Sequence, residues 1–202
     1  MSTWDTIIVG AGSAGCALAF RLSEDPRRRV LVLEAGGHDR HLFVHMPLGY
    51  GKLFHHPRFN WNFRAEPDPG LNGQADHWPR GKVLGGSSSI NAMVWIRGHH
   101  EDYEDWRRAG NPGWGWDDVL PAFKALEDNE AGADQWRGAG GPLHVEAGTR
   151  DVHPLIRRAL LACEAAGLPF NPDFNGAHQE GAGLYQMTIR RGRRNSAARA
   201  FL

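Results

Sequence analysis

The sequence has few cysteines, no excess of charge of either sign and no long apolar run. Its 202 residues contain two cysteines, Cys16 and Cys163. These are too few for a disulfide framework, so we expect a reducing, cytoplasmic setting. Lys plus Arg and Asp plus Glu number 23 each, which gives no global field for nucleic acid or an anionic membrane. No stretch approaches the ~20 apolar residues of a membrane-spanning helix. Met1 leads almost directly into a strand-like segment, which leaves no room for a secretory signal.

Aromatic residues and glycines are abundant. Eight Trp, nine Phe and three Tyr supply enough apolar surface for a packed core, which excludes low-complexity disorder. The 26 glycines and 12 prolines predict a loop-rich chain with several places where the backbone approaches another group closely. The length suits one well-buried domain or two small ones.

The beginning of the chain has the pattern of a β-α-β unit. Residues 5–9 predict a short strand of the buried kind, and residues 13–25 carry apolar positions at helical spacing until Pro26 ends the helix. Residues 30–33 are a continuous apolar run, which is typical of a parallel strand buried on both faces.

The remainder of the chain predicts shorter elements. Residues 38–78 indicate mostly irregular structure with short helical pieces. A helix that starts at residue 195 is interrupted by the chain end, which suggests a fragment. The other expected elements are helices over 100–108, 117–129 and 152–166, and strands over 141–146 and 183–190.

The hexapeptide GAGSAG at residues 10–15 fits G-x-G-x-x-G between a strand and a helix. Gly10 permits the tight turn, Gly12 lets the backbone reach a pyrophosphate, and Gly15 lets the helix pack closely on the strand. Glu34 follows Gly15 by nineteen positions, at the end of the second strand, where a carboxylate accepts hydrogen bonds from a ribose diol. This context favours a dinucleotide site over a purely structural turn.

A second glycine-rich segment, WPRGKVLGGSSSIN, occupies residues 78–91. Small residues in series allow backbone amides to lie against a flat ring or a phosphate. The alternative is a flexible surface loop. Apolar residues within and beside the segment, such as Val83 and Ile90, favour a loop that contacts a ligand.

These segments closely resemble the glucose-methanol-choline (GMC) oxidoreductase family. The resemblance spans nearly the whole chain and points to the bacterial branch that contains choline dehydrogenase and related alcohol dehydrogenases. The matching motifs are GAGSAG at 10–15, LEAGG at 33–37, RGKVLGGSSSINAMVWIRG at 80–98, Asp102-Tyr103 with Trp106, GWGW at 113–116, VLPAF at 119–123 and NSAARAFL at 195–202.

The resemblance implies an α/β, Rossmann-type FAD-binding domain with the beginning of an α+β substrate domain. It further implies oxidation of a small-molecule alcohol to an aldehyde or ketone by hydride transfer to flavin N5, with a separate electron acceptor. The implied domains are 1–141 for FAD binding, 142–190 for the start of the substrate domain and 191–202 for re-entry into the FAD domain. The implied cofactor-binding residues are Gly10, Gly12, Ser13, Ala14 and Gly15 at the pyrophosphate, Glu34 and Ala35 at the adenosine, and Val83, Gly86, Ser87, Asn91, Ala92, Met93 and Val94 at the flavin.

The sequence departs from the family pattern at the catalytic base. None of its eleven histidines matches the family's catalytic histidine, so we assign no catalytic residue and expect this chain alone not to oxidise alcohols. Ile90 stands where some relatives attach FAD through a histidine, which predicts non-covalent FAD. Two alternatives stay open: another Rossmann flavoprotein or NAD-dependent enzyme that shares only the first thirty residues, and a truncated product that binds FAD weakly or not at all.

Four other features suggest simpler interpretations. His38, His41 and His45 have helical spacing, but no cysteine or carboxylate cluster completes a metal site, so we expect no metal. Cys16 is interpreted as a small buried side chain. The basic runs at 27–29 and 190–194 are interpreted as solvated turns without nucleic-acid contacts, and Trp106, Trp114 and Trp116 as core and lid packing rather than a carbohydrate platform.

Overall fold

The computed structural model describes residues 3–149 and 152–202. The chain forms two compact units: Met1–Met93 joined by Ile189–Leu202, and Val94–Thr188. These units are defined by compactness alone. The limits at residues 141 and 190, which the sequence predicts for the FAD-binding and substrate domains, stay a prediction.

The helices and strands of the described residues are short and alternate along the chain. The α-helices are α1 (Ser13–Leu22), α2 (Leu42–His45), α3 (Tyr50–Leu53), α4 (His100–Arg108), α5 (Trp116–Leu126), α6 (Pro154–Ala165) and α7 (Ala197–Phe201). The strands are β1 (Thr6–Val9), β2 (Val30–Leu33), β3 (Phe63–Arg64), β4 (His77–Trp78), β5 (Val94–Trp95), β6 (Glu127–Asn129), β7 (Leu143–Val145), β8 (Gln186–Met187), β9 (Ile189–Arg190) and β10 (Arg193–Arg194).

The predicted β-α-β unit is present in the first unit. Strands β1 and β2 pair in parallel, with Thr6 opposite Val30 and Val9 opposite Leu33. Helix α1 connects them and ends at Leu22, three residues before the predicted end. If the helix continued, the ring of Pro26 would clash with the carbonyl of the residue four positions earlier. The helix therefore ends before the proline rather than at it.

The prediction that β2 is buried on both faces is wrong for this structure. Ile7, Val9 and Leu33 are 56%, 85% and 49% exposed. Among the described residues the sheet contains only β1 and β2, so each strand has one neighbour and part of its apolar surface faces outward.

Two groups of buried side chains hold the first unit together. One consists of Val44, Leu53, Phe59, Val83 and Ile90, and it lies beneath the irregular segment that contains α2 and α3. The segment also contains the antiparallel pair β3–β4, which the sequence did not predict. The other group joins α1 to α7 through Ala11, Cys16 and Ala197.

In the second unit, some helices and strands end at residues other than those that the sequence pattern predicts. Helix α4 has the predicted bounds, but α5 ends at Leu126 rather than at residue 129. The residues after it form β6, which pairs in parallel with β7. The predicted strand over 183–190 is two short strands: β8 pairs with β5 in this unit, whereas β9 belongs to the first unit and pairs with β10.

A buried ion pair organises the second unit. Arg97 Nη2 lies 2.6 Å from Glu127 Oε2, and both side chains are almost fully buried. Glu127 also accepts hydrogen bonds from Trp95 Nε1, Asn129 Nδ2 and the Gly138 amide. Burial lowers the pKa of Arg97, and Glu127 opposes that shift. The full set of donors satisfies a carboxylate that would otherwise be costly to bury.

In the part of the chain that the structure describes, no helix has the length and apolar character needed to cross a membrane.

Candidate functional site

A cleft of about 990 Å³ opens in the first unit, at the ends of β1 and β2. The carboxyl ends of parallel strands are the usual place for a ligand in α/β folds. The cleft is lined by Val9, Gly10, Gly12, Ser13, Val32, Leu33, Glu34, Ala35, Trp61, Phe63, Arg80, Gly81, Gly86 and Ser87.

The three glycines of the first turn have different roles. Gly10 has a φ of 95°, a conformation that favours glycine. A Cβ on Gly15 would collide with the carbonyl of Gly10, so this glycine lets α1 pack on β1. A Cβ on Gly12 would meet no atom within 4 Å. A Cβ on Gly10 would likewise meet no atom within 4 Å, but its positive φ disfavours a side chain. Of the three glycines, Gly12 is therefore the position at which an added side chain enters open space without backbone strain.

The start of α1 faces the cleft through Gly12 and Ser13. The first turn of this ten-residue helix contains no acidic residue, and its N-cap, Gly12, has no side chain that could satisfy the first amides. Amides at a helix start have no partner within the helix and carry a partial positive charge. This end of the cleft is therefore suited to an anion such as a phosphate group.

Glu34 lies at the end of β2 and is tied to the glycine turn. Its Oε2 accepts from the amide of Ala11 at 2.8 Å, and its Oε1 accepts from the amide of Gly36 at 2.7 Å. A carboxylate has about four acceptor positions, so two remain for hydroxyl groups of a ligand. Glu34 thus fixes the shape of the turn as well as lining the cleft.

The opposite wall is the second glycine-rich loop, whose serines hold it in shape. Ser87 Oγ accepts from the amide of Gly81 at 3.1 Å, and Ser88 Oγ donates to the carbonyl of Gly85 at 2.6 Å. A Cβ on Gly86 would lie 2.7 Å from the Cα of Gly12. The two glycine turns are therefore in direct contact, and the loop is an ordered wall rather than a flexible surface segment.

The buried side chain of Arg194 is hydrogen-bonded to the second glycine-rich loop. It is 1% exposed. Its Nε donates to the carbonyl of Val44 at 2.8 Å, and its Nη1 donates to the carbonyls of Ser88 and Asn91 and to Asn91 Oδ1. Among the described residues, no acceptor of Arg194 is a carboxylate and its Nη2 has no partner. Burial lowers the pKa of Arg194 to about 10.

The structure brings half of the residues predicted for the cofactor together. Gly10, Gly12, Ser13, Glu34, Ala35, Gly86 and Ser87 line the cleft. The others are placed elsewhere: Gly15 is buried against Gly10, Val83 lies in the apolar core, Ala14 is exposed on α1, Asn91, Ala92 and Met93 follow the loop, and Val94 belongs to the second unit. Their roles at a cofactor stay predictions.

The sequence analysis missed seven residues that line the cleft: Val9, Val32, Leu33, Trp61, Phe63, Arg80 and Gly81. Trp61 and Phe63 fall in the segment predicted to be mostly irregular. The feature of the sequence that could have indicated them is the spacing of two aromatic residues two positions apart. In an extended chain, such residues lie on the same side. Arg80 and Gly81 lie in the quoted glycine-rich segment but were assigned no role.

The remaining candidates have structural roles. His41 caps α2 by accepting from the amide of Phe43, and no group of three possible metal-ligating side chains occurs in the part of the chain that the structure describes. Cys16 is fully buried, as interpreted from the sequence, and burial raises the pKa of its thiol. Packing is confirmed for the buried Trp116, whereas Trp106 and Trp114 contact each other but are half exposed.

Comparison with known protein families identifies the family of this chain. The sequence model of the GMC oxidoreductases matches residues 4–202. The chain belongs to the GMC oxidoreductase family. The predicted Rossmann-type α/β class and the predicted family are both confirmed.

Curated GMC relatives match almost the whole chain. The alcohol dehydrogenase (acceptor) of Pseudomonas putida is 52% identical over 200 residues, which cover 98% of this chain and 36% of the relative. The oxygen-dependent choline dehydrogenase of Rhizobium etli is 50% identical over 198 residues, again 98% of this chain and 36% of the relative. This GMC chain thus spans about a third of the length of these relatives and matches their N-terminal part.

Solved GMC-like structures confirm the fold. The crystal structure of pyridoxine 4-oxidase from Mesorbium loti superposes with a TM-score of 0.93 at 41% identity, over 98% of this chain and 39% of that one. An FAD-dependent oxidoreductase from Chaetomium thermophilum superposes with a TM-score of 0.87 at 32% identity, over 99% of this chain and 36% of that one.

Proposed function

We propose that this chain is the N-terminal, FAD-binding part of an oxidoreductase that oxidises an alcohol to an aldehyde or ketone. The observation that supports it most is the open position at Gly12, which faces a cleft between the start of α1 and the Glu34 carboxylate. A relative 52% identical to this chain is an alcohol dehydrogenase, and one solved structure similar to this chain is that of an FAD-dependent oxidoreductase.

The residues of the cleft fit the parts of a flavin dinucleotide. The pyrophosphate is suited to the amides at the start of α1, beside Gly12 and Ser13. The adenosine ribose is suited to the two remaining acceptor positions of Glu34. The ordered loop with Gly86 and Ser87 presents a flat backbone surface without bulky side chains, which suits a ring system. The volume of about 990 Å³ is large enough for a ligand of this size.

Bound FAD would supply the electron sink of the reaction, by accepting a hydride at N5. The residues of this chain would bind and orient it. Gly10, Gly12, Ser13 and Gly15 shape the phosphate end, and Glu34 and Ala35 shape the adenosine end. Val83, Gly86 and Ser87, with the backbone of residues 91–93, shape the flavin end, where backbone amides can stabilise charge on the ring.

We propose that the flavin is held without a covalent bond. Ile90, at the position where some relatives carry the attachment histidine, is a core side chain that is 2% exposed. An alkyl group offers no atom for such a bond. FAD modification is described for the formate oxidase of Aspergillus oryzae, which has a similar fold, so release of the flavin by acid precipitation is the measurement that decides the point.

The substrate proposed is a small-molecule alcohol, and a separate electron acceptor reoxidises the flavin, as the name of the Pseudomonas putida relative indicates for that protein. We assign none of the eleven histidines the role of base, and we propose that this chain by itself does not turn over alcohols. Steady-state reduction of an artificial acceptor by the purified 202-residue chain would contradict this. A cytoplasmic location is proposed from cysteine usage alone.

The test of the site is a single added methyl group. Gly12 has a φ of −76°, which alanine adopts readily, so Gly12→Ala places a Cβ in the cleft without straining the protein. We expect it to weaken FAD binding at least about tenfold, because the methyl group occupies the pyrophosphate position. Flavin content and FAD affinity would be measured in the full encoded protein.

Gly51→Ala is the matched control. A Cβ at Gly51 also meets no atom within 4 Å, but Gly51 lies in α3 and does not line the cleft. We expect unchanged flavin content in this variant. Equal flavin binding by both variants and the parent protein would refute the assignment of the cleft.

A further inference from the structure

Two aromatic side chains form part of the cleft wall and have no role in the site so far. The rings of Trp61 and Phe63 are parallel within 4°, with centroids 5.8 Å apart. They are 43% and 53% exposed, and both line the cleft. Large half-exposed aromatic rings in a cleft offer a flat apolar surface to a ligand.

The backbone that carries the rings is well fixed. The amide of Trp61 donates to the carbonyl of Arg80 at 2.9 Å. The buried Asn60 accepts through Oδ1 from the amides of Asn62 and Arg80, both at 2.9 Å. Phe63 is paired across β3 and β4 with Trp78. These hydrogen bonds hold the aromatic wall before any ligand arrives, which reduces the entropy lost on binding.

The contacts of Lys82 locate Trp61 along the cleft. Lys82 Nζ lies 4.4 Å from the centroid of the Trp61 ring. The backbone of Lys82 is packed against Gly36 so closely that a Cβ on Gly36 would collide with it. Gly36 also donates its amide to Glu34. The Trp61 ring is therefore within one lysine side chain of the segment of residues 34–36.

We infer that Trp61, supported by Phe63, is the surface on which the adenine ring of the dinucleotide stacks. The inference rests on the proposed function, because Glu34 locates the adenosine ribose and adenine is attached to that ribose. An indole ring attracts the face of any base, and such stacking contributes about tenfold or more in affinity. The contact makes no hydrogen bond to the base edge, so it positions adenine without reading its identity.

The test separates the two halves of the cofactor. The full encoded protein, freed of flavin, would be titrated with FAD, with ADP and with flavin mononucleotide. We expect Trp61→Ala to weaken the affinity for FAD and for ADP about tenfold and to leave the affinity for flavin mononucleotide unchanged. Trp61→Phe, which keeps a smaller ring, should weaken ADP binding by less.

Trp78→Ala is the matched control, since Trp78 is similarly exposed and pairs with Phe63 but does not line the cleft. We expect it to bind ADP like the parent protein. If Trp61→Ala does not fold, Trp61→Leu with circular dichroism takes its place, since it retains apolar bulk and loses the aromatic face.

The outcomes distinguish the two proposals. A parent protein that binds neither FAD nor ADP refutes the proposed function. A parent that binds FAD but not ADP shows that the adenine half adds no affinity and overturns the stacking inference alone. Unchanged ADP affinity in Trp61→Ala, or an equal loss for ADP and flavin mononucleotide, also overturns it.

Discussion

Replacing Arg194 by methionine should destabilise the first unit and loosen the wall of the cleft. The guanidinium donates to the carbonyls of Val44, Ser88 and Asn91 and to the side chain of Asn91. Each acceptor left without a donor in the interior costs about 1–3 kcal/mol. Among the residues that the structure describes, none supplies a carboxylate to Arg194, so removing its buried charge offsets part of this cost. We expect a net loss of about 3–5 kcal/mol in the free energy of unfolding.

Urea denaturation of the full encoded protein measures this loss, from the midpoint and the slope of the transition. Arg193→Met is the control, because Arg193 is the adjacent residue of β10 and is exposed. Its effect should stay within about 0.5 kcal/mol. Arg194→Lys keeps the charge but has one donor atom that cannot reach all the acceptors, so it should fall between the two.

The outcome that refutes the reasoning is a loss below about 1 kcal/mol for Arg194→Met, or a loss no larger than that of Arg193→Met. Either result would mean that water satisfies the carbonyls and that the buried guanidinium does not hold the loop. If Arg194→Met yields no folded protein, the comparison of Arg194→Lys with Arg193→Met decides.

Three further predictions concern other residues. Glu127→Gln should cost about 3–5 kcal/mol in a urea titration, because it leaves a buried arginine without its partner. The control Glu101→Gln breaks only an exposed pair and should cost less than about 1 kcal/mol. Burial, with smaller effects of neighbouring positive charges, lowers the pKa of His100. The unfolded chain therefore takes up the proton first, and the free energy of unfolding should fall as pH falls through about 6.5. His100→Gln should flatten this dependence between about pH 7.5 and pH 5.5, and an unchanged slope would contradict it. Finally, acid precipitation should release all flavin into the supernatant, because Ile90 cannot attach it. Flavin fluorescence that stays with the denatured polypeptide would show the opposite.

Local features were predictable where neighbours in sequence decide them. The glycine turn could be interpreted residue by residue, since Gly10 needs its positive φ and Gly15 its lack of a side chain within the same β-α-β unit. Helix α4 was predicted with its observed bounds, because its charged first and last turns mark both ends.

Features that depend on distant partners were not predictable. Residues 127–129 directly follow α5 and contain no glycine or proline that would end a helix. Glu127 nevertheless pairs with Arg97, thirty positions earlier, and β6 pairs with the strand that begins at Leu143. That tertiary contact outweighs helix propensity. Trp61 and Phe63 lie two positions apart in a segment without longer periodicity, and this spacing alone does not indicate that β3 and β4 would place them in the cleft.

The contact between the two glycine turns links the evolution of segments that are far apart in the chain. Gly12 and Gly86 touch through their backbones, so a side chain gained at Gly86 can be accommodated only if the turn at Gly12 moves away. In a library of variants, a substitution at Gly86 should therefore show the same loss of cofactor as one at Gly12, although its added atoms point at protein rather than at ligand. Pairs of substitutions at the two sites should be non-additive. Gly86 therefore cannot gain a side chain while the turn at Gly12 keeps its position.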